Sequence, residues 1–451
     1  MLRHVWEPQT RWLETLKSVP AGLDPDGYFR RRAGRRNPFT VTFPGLGRVH
    51  FVGTVDGARD ILSTPRGKLV APTPNPIEPM VGADSVILTS GEQHRRQRRL
   101  LLPAFQSSRM RERADGIARA VTDETNTWRI GDTVALHAAA QSITLRIIIR
   151  AVLGVEAGTR SDGYTRVVKS VMNANTAPLM LLPWLRKDFA GRGPWARLVR
   201  LRTQFDDLLL ADVEGERRCP VEGHGDVLSA LLPETDQDGG RLDDGELLQQ
   251  LRTLVVAGHD TTAAALTWAL YHIHREGEVR ARVAAELATV TRPHQMTQLP
   301  YLSAVVSETL RMHPAVPIVL RKLAWPVTVD GVQRVAGDIV GIAVPAIHFD
   351  PAIWKDPHRF RPERFLGKAP TPFEYMPFGG GYRRCLGAAF ATYELAIAIG
   401  TIMNAVTLQM QPREWRRQPP RSVPRGIASV PSRDVKLEVT APGLRRRLEV
   451  A

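Results

Sequence analysis

The segment Phe378-Gly379-Gly380-Gly381-Tyr382-Arg383-Arg384-Cys385-Leu386-Gly387 puts one cysteine on a glycine-rich loop, two residues after Arg383 and just before an apolar run. A thiolate, the metal-ligating form of cysteine, is stable only where positive potential surrounds it. Arg383, Arg384 and the amides that open the next helix supply such potential. The glycines allow backbone conformations that other residues avoid, so the chain can approach a flat ring closely. Ala388 to Met403 is rich in Ala, Ile and Leu and predicts a buried helix. Read alone, Cys385 could also be an inert buried thiol.

Two cysteines, Cys219 and Cys385, make no disulfide framework and suit a reducing compartment. No C-x-x-C pair is present, which excludes a zinc ribbon. His272 and His274 are two apart, point to different sides of a helix, and read as packed or solvated residues. Met1 to Lys17 carries charges throughout and lacks the apolar core of a signal peptide or anchor. Ile143 to Val155 is broken by Arg146 and Arg150, so no membrane anchor is expected, and the protein reads as soluble and cytoplasmic. The net charge of +15 invites a nucleic-acid partner, but the arginines are scattered and no nucleic-acid motif accompanies them. With 451 residues, no repeat and no low-complexity linker, the chain reads as one domain over 1–451, with residues 1–37 peripheral.

Three further stretches carry chemistry. Asp243 to Arg275 predicts one long helix, with Asp243 and Glu246 at capping-box spacing and Leu247, Leu251, Leu254, Val255, Ala263, Leu266 and Leu270 at helical intervals. Its middle, Ala257-Gly258-His259-Asp260-Thr261-Thr262, sets a glycine, an acid and two hydroxyls inside an apolar helix. Glycine there costs about 1 kcal/mol relative to alanine, and the threonines can bond back to the preceding turn and bend the helix. Glu308-Thr309-Leu310-Arg311, on a helix over Leu302 to Met312, can pair its first and last residues across one turn. Arg361-Pro362-Glu363-Arg364-Phe365 follows downstream.

These stretches together resemble the cytochrome P450 family. The pattern F-x-x-G-x-R-x-C-x-G is met at Phe378, Gly381, Arg383, Cys385 and Gly387, and the A/G-G-x-D/E-T-T/S string at 257–262. The resemblance runs from about Pro38 to the C-terminal strands and implies a mainly α triangular prism with a small β region. Strand-like pieces at Phe39–Phe43, Val49–Val52, Val327–Val329 with the turn Asp330-Gly331, and Val435–Val439 agree with it. It implies haem b (iron protoporphyrin IX) held by Cys385, with His94, Arg98, Arg321 and Arg383 serving the propionates. Thr261 would hydrogen-bond the bound dioxygen and Asp260 would relay protons. Glu308, Arg311 and Arg364 would form a structural triad.

The implied activity is a haem-thiolate monooxygenase that hydroxylates or epoxidises a lipophilic small molecule with dioxygen. Apolar segments matching pocket positions are Pro79 to Leu88, Leu179 to Trp184, Val256 and Ala257, and Val316 to Val319, including Ile318. The chain has no dinucleotide-binding unit, so electrons would come from a ferredoxin or flavodoxin with its reductase. Arg95, Arg96, Arg99, Arg109, Arg111, Arg113 and Arg384 are candidates for a basic docking face. A haem-thiolate isomerase, a peroxygenase and a non-catalytic haem-binding sensor are the alternatives. Asp260 and Thr261 weigh against all three.

Overall fold

The Asp243 carboxylate accepts the Glu246 amide proton at 2.8 Å and so caps the helix that organises the chain. The structure is a computed structural model. It describes residues 20–21, 24–43, 45–105, 107–176, 179, 182, 185–188, 190–219, 225–236, 239–367, 369–425 and 428–443, with the side chains of 107–109 outside that set. The expectations at Met1 to Lys17, at the Arg109 side chain and at Met180, Leu181, Pro183 and Trp184 lie outside the described residues. In chain order the helices that matter for the site are α1 (Pro25–Arg30), α2 (Val55–Ser63), α3 (Gly91–Leu101), α4 (Ala114–Thr125), α5 (Leu136–Leu153), α6 (Thr159–Ala174), α7 (Gly193–Arg218), α8 (Asp244–Arg275), α9 (Pro300–Met312) and α10 (Ala388–Ala405). Helix α8 is 32 residues long, a span of about 48 Å.

Helices α5 and α10 pack against α8 and are apolar on most of their circumference, as core helices are. Each is an 18-residue helix long and apolar enough to cross a membrane by length and composition, which differs from the sequence expectation. Both are spent inside the protein: Ile143, Ile149, Ile397 and Ile399 are fully buried in one continuous cluster with α8. The reason is that Arg146 and Arg150 sit on the less buried flank of α5, leaving the rest of its surface for the core.

The principal sheet runs β1 (Phe39–Phe43), β2 (Gly47–Val52), β8 (Ile339–Ala343), β5 (Ile318–Leu323), β3 (Leu69–Val70). Only the β2–β8 pair is parallel. A hairpin of β6 (Val327–Val329) and β7 (Val332–Arg334) turns at Asp330 and Gly331, both at positive φ, as the primed hairpin turns require. Strands β4 (Thr133–Ala135), β12 (Lys436–Pro442) and β9 (Val406–Met410) form a third sheet, and β10 (Ser422–Arg425) pairs with β11 (Ala428–Pro431).

The segment before Pro38 is not peripheral where it is described. Phe29 on α1 is fully buried, its ring 4.9 Å from Phe51 of β2, and Phe51 stacks on Phe39 at 5.6 Å. Phe29 thus adds a ring from α1 to the aromatic cluster that Phe39, Phe43 and Phe51 form on the first two strands.

Gly258 has a packing reason. A Cβ there would lie 2.6 Å from Ile148 Cδ1 of α5, closer than van der Waals contact allows. We expect Gly258→Ala to lose about 1–3 kcal/mol in a urea titration, because overpacking outweighs the gain in helix propensity. Adding Ile148→Val, which removes the clashing methyl, should restore part of it. Equal stability of the single variant and the parent would refute the close approach.

Candidate functional site

The cysteine loop is shaped by backbone that only glycine adopts readily. Gly379 and Gly381 both have φ of +64°, and a Cβ on Gly381 would lie 2.5 Å from the Leu62 carbonyl oxygen of α2. Gly380 is as tight, with Leu62 Cδ1 at 2.7 Å from its would-be Cβ. The Cys385 amide donates to Phe378 O at 3.0 Å and closes the loop, and α10 begins three residues later. Cys385 is reachable by solvent yet surrounded by protein, the situation of a side chain lining a recess. Burial pushes its thiol up, while a bond from the Gly387 backbone and the charges of Arg98 and Arg384 favour the thiolate.

Cations converge beside the loop. His94 and Arg98 lie one turn apart on α3; His94 is 3% exposed and meets the Tyr382 ring edge-on at 5.8 Å. Burial first, then Arg383, Arg98, Arg66 and Arg321, push the His94 imidazole down to about 3, so it stays neutral. Arg321 of β5 is lowered to about 10 by burial and by Arg383. Arg383 donates to Ile87 O at 3.2 Å, to Ser90 Oγ at 2.9 Å and to the Thr89 carbonyl, while its buried Nε has no partner. Arg98 donates to Arg384 O at 2.8 Å. Among the described residues none of Arg66, Arg98, Arg321 and Arg383 forms an ion pair with a carboxylate. Mutually repelling, partly desolvated cations mark a place built for an anion. Arg66 escaped the sequence reading because it belongs to no motif; only the fold carries it here.

Helix α8 supplies a second surface. Between Leu251 and His274 every residue is buried except Leu254, Ala257, Gly258 and Thr261. Their spacing of three, four and seven defines one helical stripe. Thr261 Oγ1 donates to Ala257 O at 2.7 Å, the back-bond expected of a helical threonine. Asp260 is 2% exposed and accepts from Gln141 Nε2 of α5 at 3.1 Å. Ala257 is on the stripe, whereas Val256 is fully buried in the core cluster, because one residue rotates the side chain about 100° away. On β5 and just before it, Val316 is exposed and Ile318 and Val319 are half-buried, with Val319 Cγ2 3.8 Å from the would-be Cβ of Gly379. The loop at Asp84 to Val86 is bound to α8 by Gln249 at 2.8 Å and Gln250 at 2.9 Å.

Behind the loop, Glu308 and Arg311 of α9 are both completely buried. Arg311 bridges Glu308 with Nε to Oε2 at 2.7 Å and Nη2 to Oε1 at 2.9 Å. Arg364 Nε adds 3.1 Å and the Arg361 amide 2.9 Å to the same Oε1. Arg311 Nη1 donates to His348 O at 2.6 Å. The His348 ring then links this cluster to the cysteine loop: Met376 N donates to Nε2 at 3.0 Å, and Nδ1 lies 3.0 Å from Arg311 O. Because Nε2 accepts, Nδ1 carries the proton and donates. His348 lay outside every motif read in the sequence.

Arg96 is not a free surface charge, contrary to the docking-face expectation. It pairs with Asp236 at 2.5 Å and Glu246 at 3.0 Å, tying α3 to the start of α8. Arg113 is likewise occupied, donating to Gly225 O. Arg95, Arg111 and Arg384 are exposed and Arg99 half-exposed.

No three His, Cys, Asp or Glu side chains converge as a metal site among the described residues, which leaves Cys385 as a lone sulfur donor. One soft donor, a glycine-lined approach and clustered cations fit a flat dianionic ring that carries its own metal.

The comparisons agree with this chemistry. The family model for Cytochrome P450 matches residues 22–438. A relative from Mycobacterium tuberculosis named cytochrome P450 138 is 33% identical over 409 residues, covering 90% of this chain and 89% of its own length. Another from the same organism, cytochrome P450 135B1, is 32% identical over 363 residues, 80% of this chain and 75% of its own. The solved structure of a retinoic acid-bound cyanobacterial CYP120A1 superposes with a TM-score of 0.78 at 22% identity, covering 90% of this chain and 91% of that one.

Two outcomes follow from the buried cluster. Glu308→Ala strands Arg311 and Arg364 without a counter-charge and should cost about 3–5 kcal/mol, read as loss of folded, haem-loaded protein. Abundant, stable protein would contradict it. His348 is lowered to about 3 by burial and Arg311, so the unfolded chain takes up its proton first as pH falls. Stability contributed by the neutral ring is present above about pH 6.5 and is lost toward pH 3. The slope of unfolding free energy against pH should therefore be shallower in His348→Gln, by at most about 1.4 kcal/mol per pH unit; an unchanged slope refutes it.

Proposed function

The chain belongs to the cytochrome P450 family, a haem-b monooxygenase, and from that premise we propose that it hydroxylates or epoxidises a lipophilic small molecule using electrons from a separate ferredoxin or flavodoxin. The observation that carries this reading is Cys385, presented by the glycine loop beside clustered cations, together with the accessible stripe on α8. When bound, haem b supplies the iron at which dioxygen is activated.

The chain's own residues divide the remaining work. Cys385 would hold the haem iron through its sulfur. Arg98, Arg321 and Arg383, with His94, would hold the two carboxylates of the ring, and the Arg383 Nε without a partner supports that role. Glu308, Arg311 and Arg364 keep the loop in register. Asp260 and Thr261 are adjacent, one buried and one on the stripe, a pairing suited to passing a proton from interior to reaction face. That pair favours dioxygen chemistry over the isomerase, peroxygenase and sensor alternatives.

Leu254, Ala257, Ile318 and Val319 offer apolar surface to a ligand, in keeping with a lipophilic substrate. Arg95, Arg99, Arg111 and Arg384 provide positive charge that would speed docking of an acidic electron donor. We read the chain as one cytoplasmic catalytic domain.

The direct test is the carbon-monoxide spectrum of the reduced holoprotein. The sulfur-ligated form is expected in the parent and its loss in Cys385→Ala; the same spectrum in both would overturn the assignment. With an electron donor and a lipophilic substrate that shifts the iron spin state, oxygen uptake should match oxygenated product. Thr261→Ala should keep haem and substrate binding while coupled turnover falls about 10-fold or more and peroxide rises. Normal coupling would remove the relay. Reduction by the donor should slow as salt increases, and a flat response would rule out the charged docking face.

A further inference from the structure

The turn from Asp84 to Ser90 is held by side chains from three other places in the fold. Within it the Leu88 and Thr89 amides bond to Ser85 O at 2.8 and 2.9 Å. The remaining backbone groups need partners from elsewhere, because buried amides and carbonyls are rarely left unpaired. Gln249 Oε1 accepts the Asp84 amide at 2.8 Å, and Gln250 Oε1 accepts the Val86 amide at 2.9 Å. The Asp84 carbonyl accepts Gln250 Nε2 at 2.7 Å and Gln97 Nε2 at 2.8 Å. Arg383 donates to the carbonyls of Ile87 and Thr89 and to Ser90 Oγ. Gln249 and Gln250 belong to α8, Gln97 to α3 and Arg383 to the cysteine loop.

Gln97 joins the two ends of the turn. Its Oε1 accepts from Thr89 Oγ1 at 2.6 Å while its Nε2 reaches back to Asp84 O. A carbonyl can only accept, so Nε2 is fixed toward Asp84 and the Thr89 hydroxyl must donate to Oε1. Gln97, Gln250 and Thr89 are all buried, so each bond lost would leave a desolvated group unpaired. Gln97 directly precedes Arg98, yet one step along a helix turns the side chain by about 100°. Arg98 therefore faces Arg384 O while Gln97 faces the turn. Direct contacts run without a gap from Arg383 to Thr89, from Thr89 to Gln97, from Gln97 to Asp84, and from Asp84 to Gln250 on α8. Arg383 spends Nη1 and Nη2 on the turn and keeps its buried Nε without a partner, so one guanidinium can serve the turn and an anion together.

We propose that Gln97 is a positioning residue for haem: it fixes the Asp84–Ser90 turn, the turn fixes the Arg383 guanidinium, and retention of haem is thereby tied to helix α8. The proposal rests on the reading of Arg383 as a holder of the haem carboxylates and extends it to a residue outside the cation cluster. Gln97 acts through Arg383 and carries no charge of its own. The linkage is reciprocal, so haem held at Arg383 steadies the bonds that the turn makes to Gln249 and Gln250.

Two measurements on the haem-loaded protein test this. The first is the rate at which haem leaves for an excess of apomyoglobin. Gln97→Leu should speed it about 10-fold, and Thr89→Val, which keeps the shape and removes only the donor to Gln97, should speed it in the same direction. Arg383→Gln should also speed it. Adding Gln97→Leu to Arg383→Gln should then change the rate by less than about 2-fold, because both act through the same guanidinium. The second is deuterium exchange in a peptide spanning 84–86, whose Asp84 and Val86 amides bond to α8 and not to Arg383. It should quicken in Arg383→Gln as well as in Gln97→Leu. Parent-like haem loss in both Gln97→Leu and Thr89→Val, effects that multiply in the double variant, or exchange at 84–86 indifferent to Arg383→Gln each overturn the coupling. If Arg383→Gln still speeds haem loss in those cases, the carboxylate reading stands and the coupling alone falls. If Arg383→Gln leaves haem loss unchanged, both fall.

Discussion

A carboxylate and a guanidinium excluded from water stand behind everything else. Taking two charges out of solvent costs several kcal/mol each, and only good geometry with full hydrogen bonding offsets it. Glu308 meets that condition by accepting four donors, two from Arg311, one from Arg364 and one from the Arg361 amide. Arg311 in turn binds the carbonyls of His348 and Pro357. Helix α9, the segment before the cysteine loop and the stretch around Arg361 therefore cannot shift independently. His348 carries the constraint to Met376, two residues before Phe378, whose carbonyl closes the cysteine loop. The ion pair stabilises little in itself, but it gives the loop one register instead of several.

The opposite logic governs the face beside Cys385. There Arg66, Arg98, Arg321 and Arg383 have no carboxylate partners among the described residues, and Arg321 and His94 are both pushed down, first by burial and then by neighbouring cations. Such an arrangement is unfavourable in the bare protein and becomes favourable with a dianion in place. The repulsion that disfavours the bare cluster is the same electrostatic fact that favours an anion bound to it. The net charge of +15 does not explain this cluster, since many arginines, Arg96 among them, are neutralised in internal pairs.

The α5–α8 contact combines two demands. At Ile148 and Gly258 it is a tight apolar crossing. From Thr144 to His137 it is polar, with three separate cross-helix pairs, Thr144 with His259, Gln141 with Asp260 and His137 with Thr267. Between Leu251 and His274 the positions of α8 that are not buried fall on a single stripe, and the buried Asp260 stands next to it.

Much was legible in the chain itself. The cap at Asp243, the helices at 243–275 and 302–312, and the strands at Phe39, Val49, Val327 and Val435 follow from local spacing and end signals, which act between residues a few positions apart. Cys385, Glu308 and Arg311 declared themselves because their motifs are compact. What the chain concealed depends on distance in space. Arg66, His348 and Gln141 lie in unremarkable local sequence and gain their roles only from partners tens or hundreds of positions away. Val256 and Ala257 look equivalent as text, yet a rotation of one residue buries the first and leaves the second half-buried on the stripe. Arg96 and Arg95 are neighbours of identical type, and the fold ties Arg96 to distant Asp236 and Glu246 while Arg95 stays exposed beside Glu92 of its own helix. Short-range periodicity and chemistry are written along the backbone, whereas burial and charge pairing arise only when distant segments meet and compete with water.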